Sequence, residues 1–201
     1  MIVHNLFPTP VAKFTLDRAF TTEELDFVDQ QQTHNNVGNT TSDDRYVLTH
    51  KTMASVYDFV KSCVGTYLQN IYAPKNDVSL RVTQSWLNYS KPGEWHHKHA
   101  HPNSFVSGVL YMKAVKDSDK IYFYGDEYKT IDLPTENYNL YNSKSWWLPV
   151  ETGNLMLFPS SLTHSVEKVQ ADQTRVSLAF NTFPVGYVGQ EENLTALHLR
   201  D

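Results

Sequence analysis

Residues 96–111 read HHKHAHPNSFVSGVLY and combine four of the nine histidines in the chain with the start of an apolar strand. Side chains two residues apart share one face of an extended strand, about 7 Å apart. His97, His99 and His101 are therefore predicted to point the same way, while His96 is predicted to face the other side. Two neutral imidazoles at this spacing can reach one metal ion. The alternative interpretation of the segment is a solvated polar loop.

Two later segments supply candidate partners for such a site. His164 follows an apolar run and a Pro-Ser-Ser turn, and an alternating stretch places Arg175 and Ser177 on one face of a strand. Three imidazoles that leave coordination positions open are typical of a catalytic metal site. A guanidinium beside a hydroxyl suits the carboxylate of an acidic co-substrate, and Tyr111 could add a phenol to it.

The order of the patterns along the chain predicts a mainly β fold with flanking helices. Thr21 and Glu24 form a capping box ahead of a short helix. Residues 52–72 carry apolar side chains at helical spacing, and Pro74 ends that helix. From residue 78 the period becomes two and short strands follow, which is typical of a sandwich or jelly roll. Gly108 lies within one of these strands, where it allows close packing.

We therefore expect a single domain over residues 1–201. Its parts are an N-terminal strand with helical support at 1–75, a jelly-roll core with the metal site at 78–184, and a weakly patterned C-terminal tail at 185–201. Polar stretches at 30–45 and 126–150 are predicted to be loops.

Composition narrows the class of function. The net charge is -5 and no basic run occurs, which disfavours nucleic acid as a partner. No apolar run approaches the roughly 18 residues of a membrane span, and the first residues do not resemble a secretory signal. The single cysteine, Cys63, excludes an intrachain disulfide and fits a reducing compartment, so a cytoplasmic location is expected. Because Cys63 lies on the apolar stripe of the longer helix, it is predicted to be a small buried residue.

The chain resembles the 2-oxoglutarate- and Fe(II)-dependent oxygenases, in particular a prolyl-hydroxylase-like group of small, mostly uncharacterised bacterial and phage proteins. The resembling pieces are Leu6–Pro10, His99–Ser104, Ser107–Tyr111, Gly153–His164 and Arg175–Asn181. The resemblance implies a double-stranded β-helix, which is a cupin-like jelly roll, and a dioxygenase that uses Fe(II) and 2-oxoglutarate to hydroxylate a substrate.

The resemblance also implies the roles of individual residues. His99, His101 and His164 would bind the metal, and Arg175 would bind the 5-carboxylate of 2-oxoglutarate, helped by Tyr111 and Ser177. His97 is a rival for one of the histidine positions. The residues alone, without the resemblance, leave these ligand and co-substrate roles undecided.

His101 departs from the family pattern, because most relatives have aspartate at this position. A neutral third ligand would leave a net charge of +2 on the iron site instead of +1. Glu94, Asp126 and Glu127 are other carboxylates that could be considered, but none has the expected spacing. Two alternatives therefore stay open: a zinc enzyme with three histidine ligands, and a non-enzymatic jelly-roll module for binding or structure.

The primary substrate is expected to be a small molecule or a peptide. Polar and aromatic loops at 30–50 and 125–150, which include Trp146 and Trp147, are predicted to line its entrance. The C-terminal tail could close over the barrel or reach a neighbouring copy, so a homodimer is a further expectation.

Overall fold

The computed structural model describes residues 1–125, 131 and 133–200 of the chain. These residues form two α-helices, α1 (Thr22–Asp29) and α2 (Ala54–Tyr67), together with short 3₁₀ turns and one π turn. They also form the following strands: β1 (Ala12–Thr15), β2 (Thr33–Asn35), β3 (Thr40–Ser42), β4 (Val78–Ser90), β5 (His96–His99), β6 (Val106–Lys113), β7 (Lys120–Tyr124), β8 (Ser145–Pro149), β9 (Asn154–Pro159), β10 (His164–Val166), β11 (Arg175–Val188) and β12 (Leu197–Leu199).

The strands form two antiparallel sheets. The larger sheet has the order β1-β9-β6-β11-β4-β3-β2, with β12 paired to the end of β11. The smaller sheet has the order β5-β10-β7-β8. This is the mainly β, jelly-roll architecture that the sequence predicts, with long strands β4 and β11 at the centre of the larger sheet.

Alternating side chains of the larger sheet separate two apolar cores. On strand β6, Leu110 and Met112 belong to the core shared with the helices, whereas Tyr111 belongs to the core between the two sheets. The second core also contains Phe123 from β7 and Phe158 from β9. Polar residues that share the side of Tyr111 are therefore carried into the interior of the jelly roll.

The first helix begins at the predicted capping box. The second helix is α-helical only over Ala54–Tyr67 of the predicted 52–72, with a 3₁₀ turn (Lys51–Met53) before it and a π turn (Leu68–Tyr72) after it. Thr21 Oγ1 accepts the N–H of Glu24 at 3.2 Å and Glu24 Oε2 accepts the N–H of Thr21 at 2.9 Å, which completes the capping box. The apolar stripe of α2 packs on the larger sheet, and Cys63 is buried within it. Burial raises the pKa of the Cys63 thiol to about 11. Within the described residues, no helix is both long enough and apolar enough to cross a membrane.

Three segments carry more strand than their sequences predict. The stretch expected to be a loop at 30–45 contains the hairpin β2–β3, which extends the larger sheet through β4. Strand β8 lies in the second expected loop, 126–150. In the expected tail, β11 continues past residue 184 to Val188 and β12 folds back onto it. Strands β2, β3, β8 and β12 have only three to five residues each, too few for a long alternating pattern, and main-chain pairing with neighbouring strands holds them.

Candidate metal centre

Three histidines converge at the β5 edge of the smaller sheet. His99, the last residue of β5, is paired with His164, the first residue of β10, and His101 follows two residues later. One nitrogen from each ring lies within 4.8 Å of the other two, and His101 Nε2 is 3.3 Å from His164 Nε2. Two imidazole nitrogens that each lie about 2.1 Å from a common ion are about 3.0–3.4 Å apart at octahedral or tetrahedral angles, which is the separation of the His101 and His164 nitrogens. The three rings can therefore hold one divalent metal ion.

Hydrogen bonds leave one ring nitrogen of His99 and of His164 available to a metal. His99 Nδ1 lies 2.8 Å from the carbonyl oxygen of His97, and His164 Nδ1 lies 3.1 Å from that of Leu162. Because a carbonyl oxygen only accepts, Nδ1 carries the proton in both rings and Nε2 keeps its lone pair.

The electrostatic surroundings keep these rings neutral. Burial is the larger cause and repulsion from neighbouring imidazoles the smaller one, and together they lower the pKa of His164 to about 3 and that of His101 to about 4. Burial also lowers the pKa of His99. Neutral imidazole is the form that binds a metal ion, so the rings are ready to coordinate at neutral pH.

Contacts from the interior fix the orientation of the rings. The Phe158 ring lies 4.7 Å from the ring of His164, and Trp86 lies 5.8 Å from His101. The backbone N–H of His101 donates to the carbonyl oxygen of Ser160 at 2.9 Å. The turn that carries His101 is thus attached to the turn that precedes His164, which keeps the two rings in register.

His96 and His97 occupy positions that strand alternation alone does not predict. His164 pairs with His99 and Val166 pairs with His96, so β5 contains one residue more than β10 between these pairs. Such a β-bulge reverses the alternation of side chains. The ring of His96 consequently stacks on His99 at 4.7 Å, and the prediction that His96 faces away is wrong. His97 forms a second group with His96 and His99, which shares only His99 with the group of His99, His101 and His164.

A buried guanidinium with an unused donor lies on the interior side of β11. Arg175 Nη1 donates to Asp119 Oδ1 at 3.1 Å, and Asp119 Oδ2 accepts the N–H of Val115 at 2.7 Å. Arg175 Nη2 and the hydroxyl of Tyr111 are both buried without a hydrogen-bond partner. Burial raises the pKa of Tyr111, so the phenol keeps its proton. Two adjacent buried donors without an acceptor fit a carboxylate group.

Ser177 lies in the same row of the larger sheet as Tyr111. It pairs with Tyr111 on one side and with Asn88 of β4 on the other, and residues directly opposite in an antiparallel sheet share a face. The side-chain oxygen of Asn88 is buried and has no partner. The structure thus groups the three residues predicted to bind the co-substrate, Arg175, Tyr111 and Ser177, and adds Asn88.

Asp119 and Asn88 were missed by reasoning from the sequence. Asp119 ends a polar stretch, Lys116–Asp119, that reads as an ordinary surface turn, so its pairing with Arg175 leaves no local signal. Asn88 did leave one, because asparagine is depleted in the middle of strands. A polar residue in a long central strand is a candidate ligand contact.

The carboxylates considered from the sequence do not join the histidines within the described part of the chain. Glu94 Oε2 accepts the N–H of Lys91 at 2.8 Å and so caps the turn before β5. Asp126 and Glu127 lie outside the described residues. The groups of potential metal ligands found among residues 1–125, 131 and 133–200 contain only histidine.

Comparison with known proteins gives this site a context. Residues 84–181 match the family model described as putative 2OG-Fe(II) oxygenase. No curated protein sequence matches the chain.

Solved structures share the fold at low sequence identity. HygX from Streptomyces hygroscopicus, crystallised with nickel, 2-oxoglutarate and hygromycin B, has a TM-score of 0.59 and 12% identity, over 96% of this chain and 92% of HygX. A 2OG-Fe(II) oxygenase family oxidoreductase from Burkholderia pseudomallei has a TM-score of 0.58 and 11% identity, over 86% and 83%. A prolyl hydroxylase from Trichoplax adhaerens, in complex with a hypoxia inducible factor peptide, has a TM-score of 0.56 and 13% identity, over 86% and 83%.

The matched segment contains β5, β6, β9 and β10 and reaches into β11, so it includes every residue of the candidate site described above. The fold, with its two antiparallel sheets, is the double-stranded β-helix of these oxygenases. Residues 84–181 are therefore similar to the 2OG-Fe(II) oxygenase family model, and the whole chain shares the fold of these oxygenases.

Proposed function

We propose that the protein is a 2-oxoglutarate-dependent Fe(II) dioxygenase whose metal ligands are His99, His101 and His164. The three nitrogens lie within 4.8 Å of one another. The resemblance to these oxygenases implies that His101 stands where most relatives have a carboxylate. Imidazole is a suitable ligand for Fe(II), and three such ligands leave coordination positions for a co-substrate and O₂. When bound, Fe(II) and 2-oxoglutarate would supply the oxidising chemistry, with release of succinate and CO₂.

The observation that carries the proposal is the pair of unused donors at Arg175 and Tyr111. A zinc hydrolase or a structural module gives no reason to bury a guanidinium N–H and a phenol O–H without acceptors. The 5-carboxylate of 2-oxoglutarate would accept both of them. Asp119 would hold the guanidinium in place from the opposite side. Ser177, on the adjacent position of the same face, would add a hydroxyl.

The proposal extends to the substrate class, the location and the oligomeric state of the protein. Solved structures of this fold contain hygromycin B or a peptide fragment, so a small molecule or a peptide is the expected substrate class. Trp146 and Trp147 in β8 remain partly exposed, which supports a role near an entrance. We also propose that the protein is cytoplasmic, does not bind nucleic acid and can form a homodimer. Light scattering of the purified protein would test the dimer.

The central experiment is anaerobic loading of metal-free protein with Fe(II) and 2-oxoglutarate. A charge-transfer absorbance band and consumption of 2-oxoglutarate under air are expected. A protein that binds the metal but gives neither signal would contradict the proposal and would favour the zinc or structural alternative. A screen of peptides and metabolites for coupled succinate formation would then identify the substrate.

A variant without Arg175 separates co-substrate binding from metal binding. Because Arg175→Met alone would leave Asp119 buried and unpaired, the double variant Arg175→Met/Asp119→Asn is the better choice. It should bind Fe(II) as the wild type does but show no charge-transfer band. Arg200→Met, at an exposed arginine, is the matched control and should retain the band. Loss of metal binding in the double variant would indicate a structural role for Arg175.

A further inference from the structure

We infer that His96, His97 and His99 form a second position for a divalent metal ion, which overlaps the first. One nitrogen from each of these rings lies within 4.8 Å of the other two. The ring centroids are 5.1 Å apart for His96 and His97, 4.7 Å for His96 and His99, and 4.8 Å for His97 and His99. This position needs neither 2-oxoglutarate nor the ligands His101 and His164.

The bulge in β5 creates the second group. A regular strand would place His96 and His99 on opposite faces, three residues apart. The extra residue between the pairs His164–His99 and Val166–His96 reverses that alternation and stacks the two rings, with an interplanar angle of 30°. The ring of His97 lies beside both of these rings and completes the group of three. Sequence spacing alone therefore predicts one histidine site where the backbone builds two.

His97 supplies evidence that this group is incomplete without a ligand. Its Nδ1 atom is buried and has no hydrogen-bond partner. A buried ring nitrogen without a partner is costly, and donation of its lone pair to a cation would satisfy it. No side chain in the described part of the chain takes that place.

His99 cannot serve both positions at once. Its Nδ1 donates to the carbonyl oxygen of His97, so a neutral His99 has a single lone pair, on Nε2. An ion bound with His101 and His164 would therefore compete with an ion bound with His96 and His97. His96, His97 and His99 are all half-buried, whereas the first position includes His164, which is only 3% exposed.

The chemistry of the ligands selects the kind of ion. Neutral imidazoles favour Zn²⁺, Co²⁺, Ni²⁺ and Cu²⁺ over Mg²⁺ and Ca²⁺, which prefer oxygen ligands. The second position is thus a site for late transition metals that would draw His99 away from the first position. An excess of such an ion should therefore remove His99 from the iron ligands of the proposed dioxygenase. It would not simply take the place of the iron.

The test uses Co²⁺ as the probe and metal binding as the readout. Chelator-treated full-length protein is titrated with Co²⁺, followed by equilibrium dialysis and visible absorbance. His164→Ala and His101→Ala each remove one ligand of the first position only, and each should still bind about one Co²⁺ per chain. Adding His97→Gln to either variant should abolish that binding, whereas adding His4→Gln, at an exposed histidine, should not.

The outcomes separate this inference from the proposed function. If neither His164→Ala nor His101→Ala binds Co²⁺, or if His97→Gln leaves their binding intact, the second position is ruled out while the dioxygenase proposal stands. Two ions bound to the wild type with equal affinity would contradict the shared lone pair of His99. Two variants of the first position are used so that a failure of one to fold does not prevent the test, and circular dichroism monitors folding.

Discussion

Removing one charge of the Arg175–Asp119 pair should destabilise the protein at least as much as removing both. Both side chains are almost completely buried, 4% and 3% exposed, and their closest atoms are 3.1 Å apart. Loss of one partner of such a pair leaves the other charge uncompensated away from water and costs about 3–5 kcal/mol. Asp119→Asn and Arg175→Met are each expected to lower the free energy of unfolding by about this amount.

The double variant Arg175→Met/Asp119→Asn should cost no more than either single change, because neither charge is then left alone. The coupling free energy in this double-mutant cycle is therefore expected to be about 3 kcal/mol or more. The amide introduced by Asp119→Asn would also keep an oxygen for the backbone N–H of Val115, which preserves the turn.

Urea unfolding of metal-free protein without 2-oxoglutarate, followed by tryptophan fluorescence and circular dichroism, measures the four free energies. Lys116→Met, at an exposed lysine in the same turn, is the control and should change stability little. Single-variant costs below about 1 kcal/mol, as measured for exposed ion pairs, would refute the account of a buried pair. Additive costs in the double variant would refute the coupling.

Three further predictions concern other parts of the structure. Burial lowers the pKa of His164 to about 3, below its ordinary value of about 6.5, so the unfolded chain binds this proton first on acidification. Between pH 6.5 and pH 5 the metal-free protein should therefore lose about 1.6 kcal/mol of stability from this group, and His164→Gln should reduce the loss measured by urea unfolding at the two pH values. Cys63 is buried with its pKa raised to about 11, so a thiol reagent at pH 8 should label it only after unfolding; rapid labelling of native protein would contradict its position. Gly108→Ala should lower the free energy of unfolding by about 1–3 kcal/mol, because the added methyl group would meet the ring of Phe180 and lie 2.8 Å from Leu157 Cδ2; an unchanged urea midpoint would refute this.

The parts of the site that were predictable are those with a local sequence signal. The alternation that puts Arg175 and Ser177 on one face survives folding because a strand preserves the period of two. His101 lies beyond the end of β5, and it joins His99 because they are close in sequence and the turn of His101 is bonded to Ser160. His164 could be placed because a turn and a short strand precede it. The capping box and the apolar stripe of the longer helix were predictable for the same reason, since both depend on neighbours within a few residues.

The parts that were missed depend on contacts between distant segments. Asp119 pairs with Arg175 although they are 56 residues apart in sequence, and no local sequence pattern near either residue predicts this pairing. The position of His96 depends on a bulge, which is a property of how β5 pairs with β10 and is invisible in β5 alone. The hairpin at 33–42 forms because β4 offers it a free edge, while its own polar sequence resembles a loop.

Because the candidate metal ligands are all histidines, they add no charge where the metal ion and 2-oxoglutarate would bind. Within the described residues, Arg175 and Asp119 cancel each other, and the imidazoles add no charge. A doubly charged cation and a dicarboxylate dianion would then compensate each other completely, whereas an aspartate ligand would leave an anionic surplus. We expect the two to associate with the protein as an electroneutral couple, each strengthening the hold on the other by the same factor.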